Sequence, residues 1–386
     1  MEIRYIKENE AADYQRVSAA SFIWKFDEKV DSTVEMPVLA AFHENKLIAG
    51  VEIFDFRVNY CGNFLNSVVV SGVCSQPEYR RMGGIREIMK KIGETAVEND
   101  WTFGFLHPFS IEYYEKFGYA NLNRMFAIKI PFEKLKNIPR NTDVILYTGE
   151  QSDEISELHA KCALKENLMT LREEKKHFCH TPFESADYTY FRRNENGVAD
   201  GYVRFTVKRP DEVIVEEFFA LTPEAVYGLL GFLRNYDGIT KNLIVKKQYQ
   251  GSDISCIADR IDGISYDYDN GAAGRIYNMQ KLLESNAYPE EYGIFRLKSV
   301  DEFEHNNGIF EVEYQHGKAT VTKKAEGDYD ICLTPAAAAR LMLAGEGHDA
   351  QSALYINGVE IKGNADAFFK AFPYRRTRFA DSSWSI

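Results

Sequence analysis

The sequence predicts an α/β (α+β) chain in which a hairpin, a strand and a helix occur twice in the same order. A differently built C-terminal part follows. Three observations carry this reading. Apolar residues alternate with polar ones, the period of a half-buried strand, on both sides of short polar turns at 38–58 and again at 186–208. Each hairpin is followed by one further strand and then by an apolar stripe of helical period. The composition is 45% hydrophobic and 27% charged over 386 residues, too apolar for disorder. At about 150 residues per domain, that length makes two to three domains.

In chain order, residues 12–20 read as a helix. The run VLAAFHENKLIAGVEIFDFRV (38–58) is a hairpin around Glu44-Asn45-Lys46, and NSVVVSGVCS (66–75) is the next strand. A polar, glycine-containing loop, QPEYRRMGG, leads to a helix whose apolar positions are Ile85, Ile88, Met89, Ile92, Ala96 and Val97. Residues 102–106 form a short buried strand. Tyr113 and Tyr114 enter a short helix that stops at Phe117-Gly118-Tyr119, and 124–130 is expected to close this sheet.

The second copy has a helix at 153–169, a hairpin at 186–208 turning at Asn194–Gly197, and a strand at 212–220. Thr222 then caps a helix with Pro223 at its first position and Val226, Leu229, Leu230 and Leu233 as its stripe. Two copies of one order read as an internal duplication. Leu221-Thr222-Pro223-Glu224 replaces the Arg/Gly-rich turn, so only the first copy carries whatever chemistry that turn provides. The last part has a hairpin at 309–323, a strand at 328–333, a helix capped at Thr334-Pro335 and ending at Gly345, and a helix at 364–371. The domains expected are 1–145, 146–283 and 284–386. The tail FPYRRTRFADSSWSI is aromatic and basic, unlike a disordered terminus, and Phe372, Tyr374, Phe379 and Trp384 suit packing.

Lys+Arg 46 against Asp+Glu 58 leaves a net charge of −12, a poor balance for binding nucleic acid and a better one for cationic small molecules. No apolar run approaches the ~18 residues of a membrane span. The N-terminal MEIRYIKENEAADYQ is charged throughout and lacks a signal-peptide core, so the expectation is a cytoplasmic protein. Cys61, Cys74, Cys162, Cys179, Cys256 and Cys332 are scattered, as reduced thiols are. His177, Cys179 and His180 cluster without the remaining ligands of a zinc site, and no metal is expected.

The segment that carries chemistry is Val73-Cys74-Ser75-Gln76-Pro77-Glu78-Tyr79-Arg80-Arg81-Met82-Gly83-Gly84-Ile85-Arg86, between a strand and an amphipathic helix. Free N–H groups and the positive dipole end make a helix start an anion site. Glycines let a phosphate approach the backbone, and arginines add charge-assisted contacts. The loop therefore suits a pyrophosphate, although it lacks both the lysine of a Walker loop and a G-x-G-x-x-G.

This segment resembles the acetyl-coenzyme A motif of the GCN5-related N-acetyltransferases (GNAT), R/Q-x-x-G-x-G/A after a strand, with Arg80, Gly83 and Ile85 at its three positions. Ile85 departs from the small last residue. That departure, with Arg81 and Arg86 around it, is similar to the enhanced intracellular survival (Eis) family. His107-Pro108-Phe109-Ser110-Ile111-Glu112-Tyr113-Tyr114-Glu115-Lys116-Phe117-Gly118-Tyr119 adds the superfamily's Y-x-x-F-G-Y pattern. The resemblance covers the whole chain. It implies a catalytic lobe, a degenerate second GNAT-like lobe with mixed sheets, a C-terminal domain similar to sterol-carrier proteins, and a hexamer.

It also implies acetyl transfer from acetyl-coenzyme A, the co-substrate, to a primary amine of an aminoglycoside-like polycation or a lysine-bearing peptide. Transfer is by direct attack in a ternary complex. The resemblance assigns coenzyme binding to Val73, Cys74, Ser75, Arg80, Arg81, Met82, Gly83, Gly84, Ile85, Arg86, Phe109 and Ser110, with pantetheine on the backbone of Val73 and Ser75. Tyr114 takes the place of the acid that protonates the thiolate, with Tyr113 its neighbour and alternative. The α-carboxylate of Ile386 is the expected proton acceptor. Phe22 and Trp24 fall where the family lines its amine pocket, though both also suit a core. Two other classes remain: an aminoacyltransferase with tandem lobes, which would lack an intact R-R-x-G loop, and a non-catalytic lipid or acyl-coenzyme scaffold.

Overall fold

The computed structural model describes residues 1–27, 29, 31, 33–122, 124–172, 187–249 and 251–379. The described residues form two compact units, one of 1–122 with 272–375, the other of 124–271 with 376–379.

In the first unit, strands β1 (Glu2–Tyr5), β2 (Val38–His43), β3 (Lys46–Tyr60), β4 (Asn63–Ser75), β5 (Phe103–Leu106) and β6 (Ala120–Asn121) belong to one sheet. The order is β1-β2-β3-β4-β5, then Ala273–Ile276, then β6. Every neighbouring pair along it is antiparallel except β4 with β5. The two-residue alternation of β2 explains how both faces are covered. Leu39 and Ala41 face helix α2 (Gly84–Thr95), whose Ile85, Ile88, Met89 and Ile92 are all buried. Val38, Ala40 and Phe42 face helix α1 (Ala11–Phe22) through Tyr14 and Val17. Each fully buried aliphatic contributes about 1.5–3 kcal/mol, so the α2 stripe fixes the helix firmly on the sheet. A short helix α3 (Ile111–Glu115) follows β5.

The same unit holds a five-stranded sheet in the order Lys318–Lys324, Gly308–Gln315, Gly293–Ser299, Ile331–Leu333, Val359–Ile361. Thr334 caps the helix Pro335–Met342, accepting a hydrogen bond from the Ala337 N–H at 3.5 Å. The helix at the expected 364–371 is Asp366–Ala371, anchored by buried Phe368. Phe372 is buried as expected of the tail, whereas Tyr374 is exposed.

The second unit repeats the order. Its sheet runs Ser265–Asn270, Arg124–Pro131, Asn242–Gln248, Glu212–Ala220, Ala199–Lys208, Tyr188–Arg193, Ile145–Leu146. Helix Pro223–Leu233, capped by Thr222, buries Val226, Leu229, Leu230 and Leu233 against it. Helix Ser152–Ala163 stops short of the expected 169. Phe379 is buried in this unit.

Two strands depart from expectation. Arg124–Pro131, expected to close the first sheet, pairs in the second with Asn242–Gln248 and Ser265–Asn270. Its buried Phe126, Ile128 and Ile130 belong to that core. Ala273–Ile276 pairs β5 and β6 instead. The units divide after 122, after 271 and after 375. His177, Cys179, His180, Trp384 and Ile386 lie outside the described residues. No described helix is long and apolar enough to cross a membrane.

Helix α2 holds its place partly through Gly93, because a Cβ there would run into the ring of Phe303, itself 4% exposed. Overpacking of this kind costs about 1–3 kcal/mol, more than the ~1 kcal/mol helical advantage of alanine over glycine. Gly93→Ala is expected to lower the melting temperature by several degrees; a melting temperature equal to or above wild type shows that the Phe303 ring gives way.

Candidate functional site

The site begins where two strands part. On one side β4 stays paired with β3 as far as Ser75, opposite Ala49. On the other side β5 runs parallel to it only from Ser67 to Val69. Beyond Val69 the end of β4 has lost that neighbour, and a cavity of about 1140 Å³ opens along it, lined by Val73, Cys74, Ser75, the loop Tyr79–Arg86 and Phe109.

The two loop glycines serve different ends. Gly83, the N-cap of α2, has φ 90°, a left-handed conformation that a side chain disfavours, and a Cβ there would meet nothing within 4 Å. Gly84 lies flat on the sheet, where a Cβ would come within 3.1 Å of Ala49 and 3.4 Å of Ala41. One glycine shapes the loop and the other lets the helix start sit close. The positive dipole end of α2, equivalent to roughly half a charge, therefore faces the cavity. Around it stand Arg80, Arg81, Arg86, Lys90 and Lys116 against a single carboxylate, Glu302. In a chain of net charge −12, this is a local concentration of positive charge suited to an anion with several phosphates.

Of the residues expected to bind coenzyme, the structure brings together Val73, Cys74, Ser75, Arg80 to Arg86 and Phe109 on one cavity wall. Ser110 is not on it; its hydroxyl caps α3 by accepting the Tyr113 N–H at 3.3 Å. Phe22 lines the cavity, and Trp24 does not. Trp24 is half-exposed beside Phe26, with ring centroids 6.3 Å apart. The backbone of Ser75 is already engaged. Its N–H donates to Ser21 Oγ, and that hydroxyl donates to the Ser75 carbonyl, both at 3.2 Å. Neither Ser21 nor the cations Lys90 and Lys116 stood out in the sequence, where a serine on a helix or a lone lysine carries no signal.

Consecutive tyrosines on α3 part company. Tyr113 lines the cavity. Tyr114 is 2% exposed and belongs to the core, its ring 5.1 Å from that of Tyr113 at 90° and 5.5 Å from that of Phe109. Burial raises both phenols above their ordinary value, Tyr114 well above it, so both are protonated at neutral pH. Burial also pushes the Cys74 thiol up to about 12. A thiol held protonated is a poor nucleophile, so the cavity's one cysteine is unsuited to carrying a covalent acyl group.

Residues 2–122 match a family model described as Acetyltransferase (GNAT) domain, and residues 168–258 match a second model with the same description. No curated protein matches the chain. Solved structures match over its whole length. A conserved protein from Enterococcus faecalis V583, described as a probable N-acyltransferase, is 20% identical, with 98% of this chain and 97% of that one covered at a TM-score of 0.83. A GCN5-related N-acetyltransferase from Anabaena variabilis is 17% identical, with 99% and 98% covered at 0.82. Eis1 from Mycobacterium abscessus is 15% identical, with 99% and 100% covered at 0.79. Identities this low speak to fold alone; the domain matches speak to chemistry. The chain is an acyltransferase that carries two GNAT acetyltransferase domains, the first of which contains the splayed strand, the cationic loop and the cavity between them.

Proposed function

We propose that the chain moves an acetyl group from acetyl-coenzyme A to a primary amine of a polycationic acceptor, an aminoglycoside-like molecule or a lysine-bearing peptide. The observation that supports this most is the cavity at the parted end of β4, with five cationic side chains and a helix start at its mouth. The residues fit the coenzyme. Main-chain N–H groups at the start of α2 and the side chains of Arg80, Arg81 and Arg86 would hold the pyrophosphate. With Ser75 engaged by Ser21, Val73 offers the free strand edge for an amide of the pantetheine arm. A main-chain N–H there also suits the oxyanion that develops as the amine attacks.

Direct attack suits a site whose thiol is held protonated. The proton lost by the amine goes to the C-terminal carboxylate of Ile386, by resemblance to the Eis family. That same resemblance supports a sterol-carrier-like fold for the C-terminal part, a cytoplasmic hexamer and an amine pocket that includes Phe22 and Trp24. By motif position Tyr114 is the proton donor to the departing thiolate; Tyr113, the tyrosine on the cavity wall, is its alternative. The intact Arg80-Arg81-Met82-Gly83 loop disfavours an aminoacyltransferase, which has no need of a pyrophosphate cradle.

Thiol release from acetyl-coenzyme A, followed with kanamycin, spermidine and a lysine peptide in turn, tests the reading; no release with any amine overturns it. Replacing Arg81 and Gly83 by alanine is expected to raise the KM for acetyl-coenzyme A at least tenfold with a smaller change in kcat, and an unchanged KM refutes the pyrophosphate assignment. Tyr114→Phe should lower kcat by roughly 10²–10⁴, the usual worth of a general acid, with Tyr113→Phe less affected; the larger loss in Tyr113→Phe transfers the role to Tyr113. The phenol pKa is raised, so the protonated, active form persists to higher pH than for a free tyrosine. The rate should therefore climb with pH as the acceptor amine loses its proton, with no falling limb below about pH 10. Deleting Ser385 and Ile386 is expected to abolish turnover while coenzyme binding persists; full turnover of the shortened chain refutes the role of the terminus.

A further inference from the structure

The second GNAT domain has a cavity of its own, in the corresponding place. Strand Glu212–Ala220 runs parallel to Asn242–Gln248 only from Glu212 to Val215. Its last residues, like those of β4, extend past their parallel neighbour. A cavity of about 370 Å³ lies against Phe218, Phe219 and Ala220 and against the start of helix Pro223–Leu233. The glycine and arginine loop of the first domain is missing here, and the sequence therefore read this copy as inert.

The cations come from elsewhere. Arg376 and Arg378, on the tail, line the cavity together with Lys165 and Arg260, facing the carboxylates of Glu166 and Asp253. Their partners sort them. Glu166 is bound by the hydroxyl of Tyr249 and by Arg376 at 3.1 Å. Arg376 also approaches Asp253 at 3.7 Å and the Tyr249 hydroxyl at 3.3 Å. The Lys165 ammonium donates to the Leu221 carbonyl at 2.7 Å. Arg260 is exposed to water. Arg378 differs from these in its burial and in the ring beneath it. It is 7% exposed and its guanidinium carbon stands 4.3 Å from the centre of the Phe219 ring; its Nε, like that of Arg376, is buried with no hydrogen-bond partner. Among the described residues no carboxylate oxygen comes within ion-pair distance of it, although its charge reaches the Glu166 carboxylate that Arg376 already holds.

A buried guanidinium with no anion in contact is costly, and stacking on an aromatic ring offsets only part of that cost. A cation held in this way beside a helix start, in a cavity that also presents Phe218, Phe219, Leu221 and Val226, has the form of half an ion pair. We propose that the second domain binds a small organic anion, one phosphate or carboxylate group on an apolar body. The anion pairs with Arg378 near the first turn of Pro223–Leu233, and the apolar body lies on the two phenylalanines. A volume about a third of the first cavity's excludes a whole coenzyme and admits a molecule of some ten to twenty heavy atoms. This site is independent of the acetyl-transfer reading, because it shares no residue with the first cavity.

Cys256, an exposed free thiol on the cavity wall, provides the readout. In the full chain, alkylation of Cys256 by iodoacetamide is followed by peptide mass spectrometry with phenyl phosphate, hexanoate or inorganic phosphate present. Phenyl phosphate or hexanoate is expected to slow Cys256 at least threefold, and inorganic phosphate less. Protection should vanish in Arg378→Gln and survive in part in Arg378→Lys. Leu221→Trp, which fills the cavity and leaves the arginine in place, should also abolish it, which covers the case of an unstable Arg378→Gln. The KM for acetyl-coenzyme A is expected to stay the same in all three variants. No protection by any of the anions, or equal protection in Arg378→Gln, overturns the site. Equal protection by inorganic phosphate and phenyl phosphate overturns the apolar half of it.

Discussion

The geometry of the first domain depends on a parallel pairing that stops early. β4 and β5 share a register over three residues, Ser67 to Val69, and then separate. Parallel strands hold each other through evenly spaced hydrogen bonds, and where those end the backbone of the longer strand needs another partner or a ligand. The other features of the site follow from that divergence. The cavity occupies the gap, the loop after β4 lines it, and α2 starts at its edge because Gly84 lets the helix lie against Ala41 and Ala49. The cations could be supplied in several ways, as the second domain shows; the parting of the strands could not.

The duplicated order gives a comparison within one chain. Both domains have a strand that outlasts its parallel neighbour and a helix that starts beside the gap. In the first, local sequence provides the positive charge, three arginines within seven residues of loop and helix start. In the second, two of the four cations, Arg376 and Arg378, arrive from more than a hundred residues away on the tail. Only Leu221 and Thr222 join the strand to this helix, with no room for a phosphate-wrapping loop, and the cavity is smaller.

What the sequence made legible was local. The strand–loop–helix of 66–97, the Thr222 and Thr334 caps and the hairpin at 309–323 all depend on neighbouring residues, and the structure has each of them. Non-local choices were hidden. Alternation in Arg124–Pro131 fits either sheet equally well, so nothing in those eight residues says which core buries Phe126, Ile128 and Ile130. Tyr113 and Tyr114 are neighbours on a helix, about 100° apart around its axis, and only the fold decides which one faces the cavity. The engagement of Ser75 by Ser21 joins positions 54 apart and leaves no periodic trace. Arg378 read as part of a basic tail, and its burial became visible only once Phe219 lay beneath it.

The Ser21 hydroxyl has a consequence unrelated to catalysis. A strand that has lost its neighbour presents a bare row of donors and acceptors, the surface on which another chain adds as an extra strand. At Ser75 one hydroxyl occupies both the N–H and the carbonyl. An intruding strand would find the last rung of this ladder taken and could extend only a short way along the gap. A small molecule that needs one or two rungs can still be received, while a polypeptide that needs a continuous run is turned away. The same opening that admits a ligand is thus kept too short to seed self-association.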